Sequence, residues 1–432
     1  MSCVSPNQVK ESLLSTIDSL WNDRNLFLAN PEKDFTRTKK ISFAKTILFP
    51  MIAGSDNVET ELLDFFGEKA FPTPSSMIQR RNQIHSSAFK ELFYRFTDKI
   101  PILKKQFGLR ILACDGSRIN LPFDPRDKYT YIHYIKDRKG INQVHLNALY
   151  DPLNDFFVDA ELQPVPQLDE KAAFCHFLKS YGSDQKTLFI ADRGYASYHI
   201  FATAIHLHRY FLIRIPQSFA LSISTERDSW LSHDEEDLSV TVHIGRRRLS
   251  DSSLYENYHY FPKRRHYDFI EPGSSAVDIL KFRVLKFPIA DNSFEYIVTN
   301  LPSYFSIDKI KFLYRIRWGV ETAFRHLKYA GNMVHIHSLK TDFLFQEIFA
   351  KLTFYNFSSF MAASVRDSVE KSTDKYRYVL NHTQVLKSSL RFLRGSISDF
   401  LSAVKGSLVP VRPGRSFNRN MRRQSADTLA YR

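Results

Sequence analysis

Between residues 109 and 215, short apolar runs alternate with amphipathic helical stretches, and this alternation restricts the chain to a sheet covered by helices. LRILAC (from Leu109) is a compact apolar run that ends in Asp115. Strand-like runs follow at NQVHLNALY (from Asn142) and FFVDAEL (from Phe156). A helical stretch covers Asp169 to Ser180, and TLFIA then forms a buried run that ends in Asp192. A helix from about Ser197 to His208 leads into YFLIRI. The expected order is three strands, helix, strand, helix, strand, an α/β core whose first part spans 106–215.

At 432 residues the chain has room for further domains on either side. Residues 1–105 read as helical, with Ser75 as the expected cap of a helix carrying Arg80 and Arg81. This region fits either a plain helical bundle or a helix-turn-helix reader of DNA, and pattern alone favours the bundle. Residues 216–302 read as β-rich. Leu238, Val240, Val242 and Ile244 alternate with Ser239, Thr241 and His243, and two more strands are expected at Lys281–Phe287 and Phe294–Thr299. Asn300-Leu301-Pro302 closes that segment, and Ser306 is expected to cap one long helix from Ile307 to Tyr329 within 303–335. Residues 336–432 read as mostly helical around LFQEIFAKLTFYNF, ending in a flexible basic tail with Arg412, Arg415, Arg419, Arg422 and Arg423.

Sixty Lys and Arg against 46 Asp and Glu leave a formal net charge of +14, which favours a polyanionic partner. Two basic knots, Arg246-Arg247-Arg248 and Lys263-Arg264-Arg265, lie in the β-rich segment, although such runs are usually solvated surface. Cys3, Cys114 and Cys175 include no CxxC pair, so neither a disulfide framework nor a cysteine zinc site is expected, which suits a reducing cytoplasm. No apolar signal core opens the chain, and the patch Ile47 to Gly54 is too short to span a bilayer. A soluble, cytoplasmic protein without a membrane partner is expected.

Two aspartates stand at expected strand ends, each followed by a turn-forming pair: Asp115-Gly116-Ser117 and Asp192-Arg193-Gly194. Carboxylates there sit on a rigid element yet open to solvent, which suits a hard cation. Either alone reads more readily as a turn residue. On the long helix, Tyr314, Arg317, Glu321 and Lys328 fall within roughly 60° of one another, at about 100° per residue. A buried Glu321 beside two more carboxylates would be costly unless cations sat between them. Without the two aspartates, a salt-bridged surface stripe with Glu321 paired to Arg317 would be the preferred reading.

The spacing Tyr314-x2-Arg317-x3-Glu321-x6-Lys328 resembles the "YREK" signature of IS4-type DDE transposases, bacterial insertion-sequence enzymes. YRIRWGVETAFRHLKY, ACDGS, ADRGY and VTNLP add to the likeness, which runs from about residue 35 to 350. The resemblance implies an RNase H-like core interrupted by a β-rich insertion, behind a helical DNA-binding region. It implies Asp115 bridging two Mg²⁺ ions, with Mn²⁺ able to substitute, and Asp192 and Glu321 completing one site each. Tyr314, Arg317 and Lys328 would contact DNA phosphates, with Arg193, Arg80 and Arg81 as further DNA contacts. Relatives close a hairpin on the element's end and flip a base onto an aromatic; the candidates here are Phe294, Tyr296 and Trp230. The implied activity is cut-and-paste excision of an insertion sequence and strand transfer of its 3′ ends into target DNA. Double-stranded DNA would be the partner, with a homodimer holding the two ends. A catalytically inactive, transposase-derived DNA-binding protein is the alternative.

Overall fold

The computed structural model describes residues 4–37, 40–68, 71–133, 139–223, 233–249, 255, 257–290, 293–338, 340–373 and 375–412. Five helices come first: α1 (Pro6–Asn22), α2 (Phe43–Ile52), α3 (Val58–Phe66), α4 (Pro74–Arg81) and α5 (Ser87–Thr97). A capping box starts α1, in which Ser5 and Gln8 each accept from the other's backbone N–H. The cap of α4 is Thr73 rather than the expected Ser75, because Pro74 already has the φ of a first helical turn and Thr73 Oγ1 accepts from Ser76 N at 3.3 Å.

The central sheet starts with β1 (Arg110–Leu121), β2 (Tyr131–Ile132), β3 (Ile141–Asp151) and β4 (Phe156–Pro164). It continues through α6 (Glu170–Ser180), β5 (Thr187–Ala191), α7 (Tyr198–His206) and β6 (Tyr210–Ile215). The expected alternation therefore appears, with the short β2 added. A helix, α8 (Gln217–Ile223), opens the next segment, followed by β7 (Glu236–Gly245), β8 (Tyr258–Tyr260), β9 (Val277–Ala290) and β10 (Ser293–Thr299). The ten strands share one sheet in the order β2-β3-β1-β5-β6-β10-β9-β7-β8, with β4 on β3. The strands of 216–302 thus extend the core sheet through the β6–β10 pairing, their backbone groups finding partners on its open edge.

Each face of the sheet has its own cover. Leu112, Cys114, Phe189 and Ala191 point toward Phe174 and Phe177 of α6 and Ile200 and Phe201 of α7. The alternate residues Leu109, Ile111, Leu188 and Ile190 meet Ile310 and Leu313 on the other face. The single helix expected over Ile307–Tyr329 is divided into α9 (Ile307–Ile316), α10 (Trp318–Arg325) and a wider π-turn, His326–Ala330. Around Arg317 the backbone tightens: Arg317 N donates to Tyr314 O, and Val320 N to Arg317 O, both at 3.1 Å. Ser306 precedes α9 without a side-chain cap.

The chain continues as α11 (Thr341–Val369), strands β11 (Lys371–Ser372) and β12 (Arg377–Leu380), helices α12 (His382–Arg394) and α13 (Phe400–Lys405), and β13 (Leu408–Val411). α11 is buried along most of its length. Phe93 and Phe96 of α5 pack on its Phe349 and Phe357, with ring centroids 5.9 and 6.3 Å apart. Its Asn356 accepts from Phe157 N and donates to Phe157 O, both at 2.8 Å, so α11 joins the N-terminal helices to the sheet. Arg81 belongs to this interior. Its guanidinium donates to Gln346 at 3.0 Å, Glu347 at 2.9 Å and the carbonyl of Phe343 at 3.2 Å. The N-terminal region is therefore a bundle closed around α11. Among the described residues no helix is long and apolar enough to cross a membrane.

Candidate active site

β1 and β5 run parallel, with Ala113 paired to Ile190. Continuing that register by two residues sets Asp115 beside Asp192, one strand spacing of about 4.8 Å apart. Both project from the face carrying Ile111 and Ile190, because side chains alternate along a strand. On this face Ala113, Leu146 and Ala148 form one core with Val320, Ala323 and Phe324 of α10. Glu321 lies on that same helix, and its charge and that of Asp192 both act on Asp115, although the three carboxylates are not all drawn within 4.8 Å of one another.

The two aspartates are held differently. Asp192 follows the end of β5 and accepts from Gly194 N at 2.7 Å, in the turn that the sequence implied. Asp115 is not at a strand end: β1 continues to Leu121, with Asp115 opposite Ala148 and Gly116 opposite Asn147 of β3. Only the pairing with β5 stops there. Gly116 is accordingly not a turn glycine. A Cβ at this position would lie 2.1 Å from Nε2 of His145, a buried side chain whose ring pairs with Glu170 at 3.0 Å.

Burial raises the Asp115 carboxyl to about 6, with the negative fields of Asp192 and Glu321 adding to it. The Gly116 N–H and the Arg317 charge act in the opposite direction. Arg317 is buried and donates through Nη2 to Glu321 Oε1 at 3.0 Å. Its guanidinium also stacks 4.8 Å from the Trp318 ring and 5.7 Å from Tyr314. Arg317 Nε is buried without a hydrogen-bond partner. Tyr314 is buried under the same face. Lys328, carried back by the π-turn, donates to the carbonyl of Arg118 on β1 at 2.6 Å, and burial lowers its pKa.

The family profile described as Transposase DDE domain matches residues 106–357, more than half of the chain. This chain belongs to the DDE transposase family. No curated protein matches it in sequence. Among solved structures, a cryo-EM structure of a piggyBac transposase synaptic complex with hairpin DNA is similar over 93% of this chain and 82% of that one, at 9% identity and a TM-score of 0.47.

Other residues singled out in this transposase fall in several places. Arg193 is exposed, one residue after Asp192. Arg80 lies half-buried on α4, over the Phe35 ring at 4.8 Å. Arg81 is withdrawn into the ion pair with Glu347, which accounts for its charge inside the protein. Phe294 and Tyr296 project from β10 into the core of α6 and α7, on the opposite face from Asp115 and α10. Phe294 is covered by Lys286 at 4.3 Å and Tyr296 is buried, so neither presents a ring to the carboxylates. Trp230 lies outside the described residues, as do Arg415, Arg419, Arg422 and Arg423.

Sequence reasoning missed Arg214 and Glu295. They form an ion pair at 3.2 Å, and both charges act on Tyr314. A charged residue within the apolar run YFLIRI was the available signal, but its partner comes from a distant strand.

Proposed function

We propose that this transposase cuts and joins DNA through Asp115, Asp192 and Glu321, with Arg317 gripping a phosphate beside them. The in-register placement of Asp115 and Asp192 beneath the helix bearing Glu321 carries this reading. The donor set fits divalent cations: carboxylate oxygens suit hard ions, and a cation would relieve the repulsion that helps to raise the Asp115 carboxyl. Asp115, Asp192 and Glu321 would hold the Mg²⁺ or Mn²⁺ ions. Bound ions of this kind activate a water or a 3′-hydroxyl and stabilise the leaving oxygen.

The chain's own groups supply the positioning on which phosphoryl transfer depends. Asp192 is braced by the Gly194 N–H, and Asp115 by its pairing with β3. Arg317 orients Glu321, and its charge, which acts on Asp115, would attract a phosphate to the carboxylates. Lys328 secures the helix to β1 near the acids, and exposed Arg193 would reach the backbone of DNA beyond them. The strand and helix order of 110–215 supports an RNase H-like core, and the Tyr314–Lys328 spacing supports an IS4-type enzyme. The overall reaction would be excision of an insertion sequence and transfer of its 3′ ends, with two copies of the chain holding the paired ends. A hairpin step would need a stacking aromatic other than Phe294 or Tyr296.

The test is cleavage and strand transfer on duplexes carrying the inverted repeats that flank the gene. Activity should require Mg²⁺ or Mn²⁺ and disappear in D115N, D192N and E321Q while end binding persists. Binding by the wild-type chain without any cleavage would favour the inactive, DNA-binding alternative.

A further inference from the structure

On the opposite face of the sheet from Asp115, two histidines and an aspartate converge. His199 lies on α7; His266 and Asp268 follow the basic knot Lys263-Arg264-Arg265. Each offers a ligand atom within 4.8 Å of the other two, and among the described residues this is the one set of three His, Cys, Asp or Glu groups drawn so close. Both Nε2 atoms face the same carboxylate. His266 Nε2 is 3.1 Å from Asp268 Oδ1, and His199 Nε2 is 3.6 Å from Oδ2.

Metal bonds of 2.0–2.2 Å separate neighbouring ligands of a tetrahedral ion by about 3.4 Å. The two histidine–carboxylate separations bracket that value, and the two histidine nitrogens lie within 4.8 Å of each other. Imidazole nitrogens with a single carboxylate suit a borderline ion such as Zn²⁺ better than Mg²⁺. Lys179 donates to Asp268 Oδ2 at 3.1 Å and can stay there as an orienting partner while Oδ1 turns to the ion.

We propose that His199, His266 and Asp268 bind one transition-metal ion of the Zn²⁺ class, separate from the carboxylate site, and that the ion ties the basic segment 263–265 to α7. The absence of paired cysteines hid this site in the sequence, because its ligands come from distant stretches that only the fold brings together.

The probe is Co²⁺ titrated into the full-length protein and read by the visible bands of tetrahedral cobalt, with Zn²⁺ as competitor. One equivalent of tetrahedral Co²⁺ should form in wild type and equally in a D115N/D192N protein. H266A and D268N should each weaken binding by at least about 10- to 100-fold. His266 is largely exposed, so H266A should keep the wild-type urea midpoint without metal, which separates lost ligation from misfolding. Zn²⁺ should also slow tryptic cleavage at residues 263–265 in wild type but not in H266A. Absent tetrahedral bands, affinity unchanged in H266A and D268N, or binding lost in D115N/D192N would each overturn the proposal.

Discussion

Replacing Asp115 by Asn should stabilise the metal-free protein at neutral pH while abolishing its chemistry. Burial, with the charges of Asp192 and Glu321, raises this carboxyl from 3.8 to about 6. At 1.36 kcal/mol per pKa unit, the ionised form costs about 3 kcal/mol in the folded state. The folded pKa is raised, so the stability this group contributes is fully present below 3.8 and is lost as pH rises through about 6. Asn keeps the size and the oxygen that accepts from Gly116 N but carries no charge. Urea unfolding in EDTA should therefore show D115N more stable than wild type by about 1–3 kcal/mol at pH 7.5, with the gain shrinking toward zero by about pH 4. Saturating Mn²⁺ at pH 7.5 should cancel or reverse the difference, because an ion at 100 times its dissociation constant stabilises wild type by about 2.7 kcal/mol. A D115N protein that is less stable than wild type at pH 7.5 without metal, or a difference that ignores pH, would refute this reasoning.

Other substitutions test the remaining parts. R317A should lower strand transfer by about 10²- to 10³-fold, and R317K should recover little of it, since lysine restores the charge but not the planar fork; single-turnover assays on end DNA report this. G116A should destabilise by about 1–3 kcal/mol, because the new methyl meets the His145 ring, and urea midpoints measure it. R81M should destabilise by about 3–5 kcal/mol by leaving Glu347 buried without its partner. The same variant should leave the salt dependence of DNA binding unchanged, whereas loss of a phosphate contact would reduce its slope by about one.

The local pattern of residues was sufficient for the strand and helix order of 110–215 and for the strands near Lys281 and Phe294. Period-two and period-3.6 spacing states which side of its own element a residue occupies, and those readings need no knowledge of neighbours. The same limit explains what the pattern left open. Asp115-Gly116 resembles a turn in one dimension, but β3 continues the pairing and the glycine admits the His145 ring. Arg80 and Arg81 look alike in sequence, yet α11 covers only Arg81, with Gln346 and Glu347 to receive it. Phe294 and Tyr296 lie close to VTNLP in the chain, but strand alternation and the course of β10 turn them away from the carboxylates. The sequence by itself determined most of the elements, the charge and which acids are candidates. Only tertiary structure decided which faces meet, because burial and ligand geometry belong to pairs of elements that a single stretch of chain does not contain.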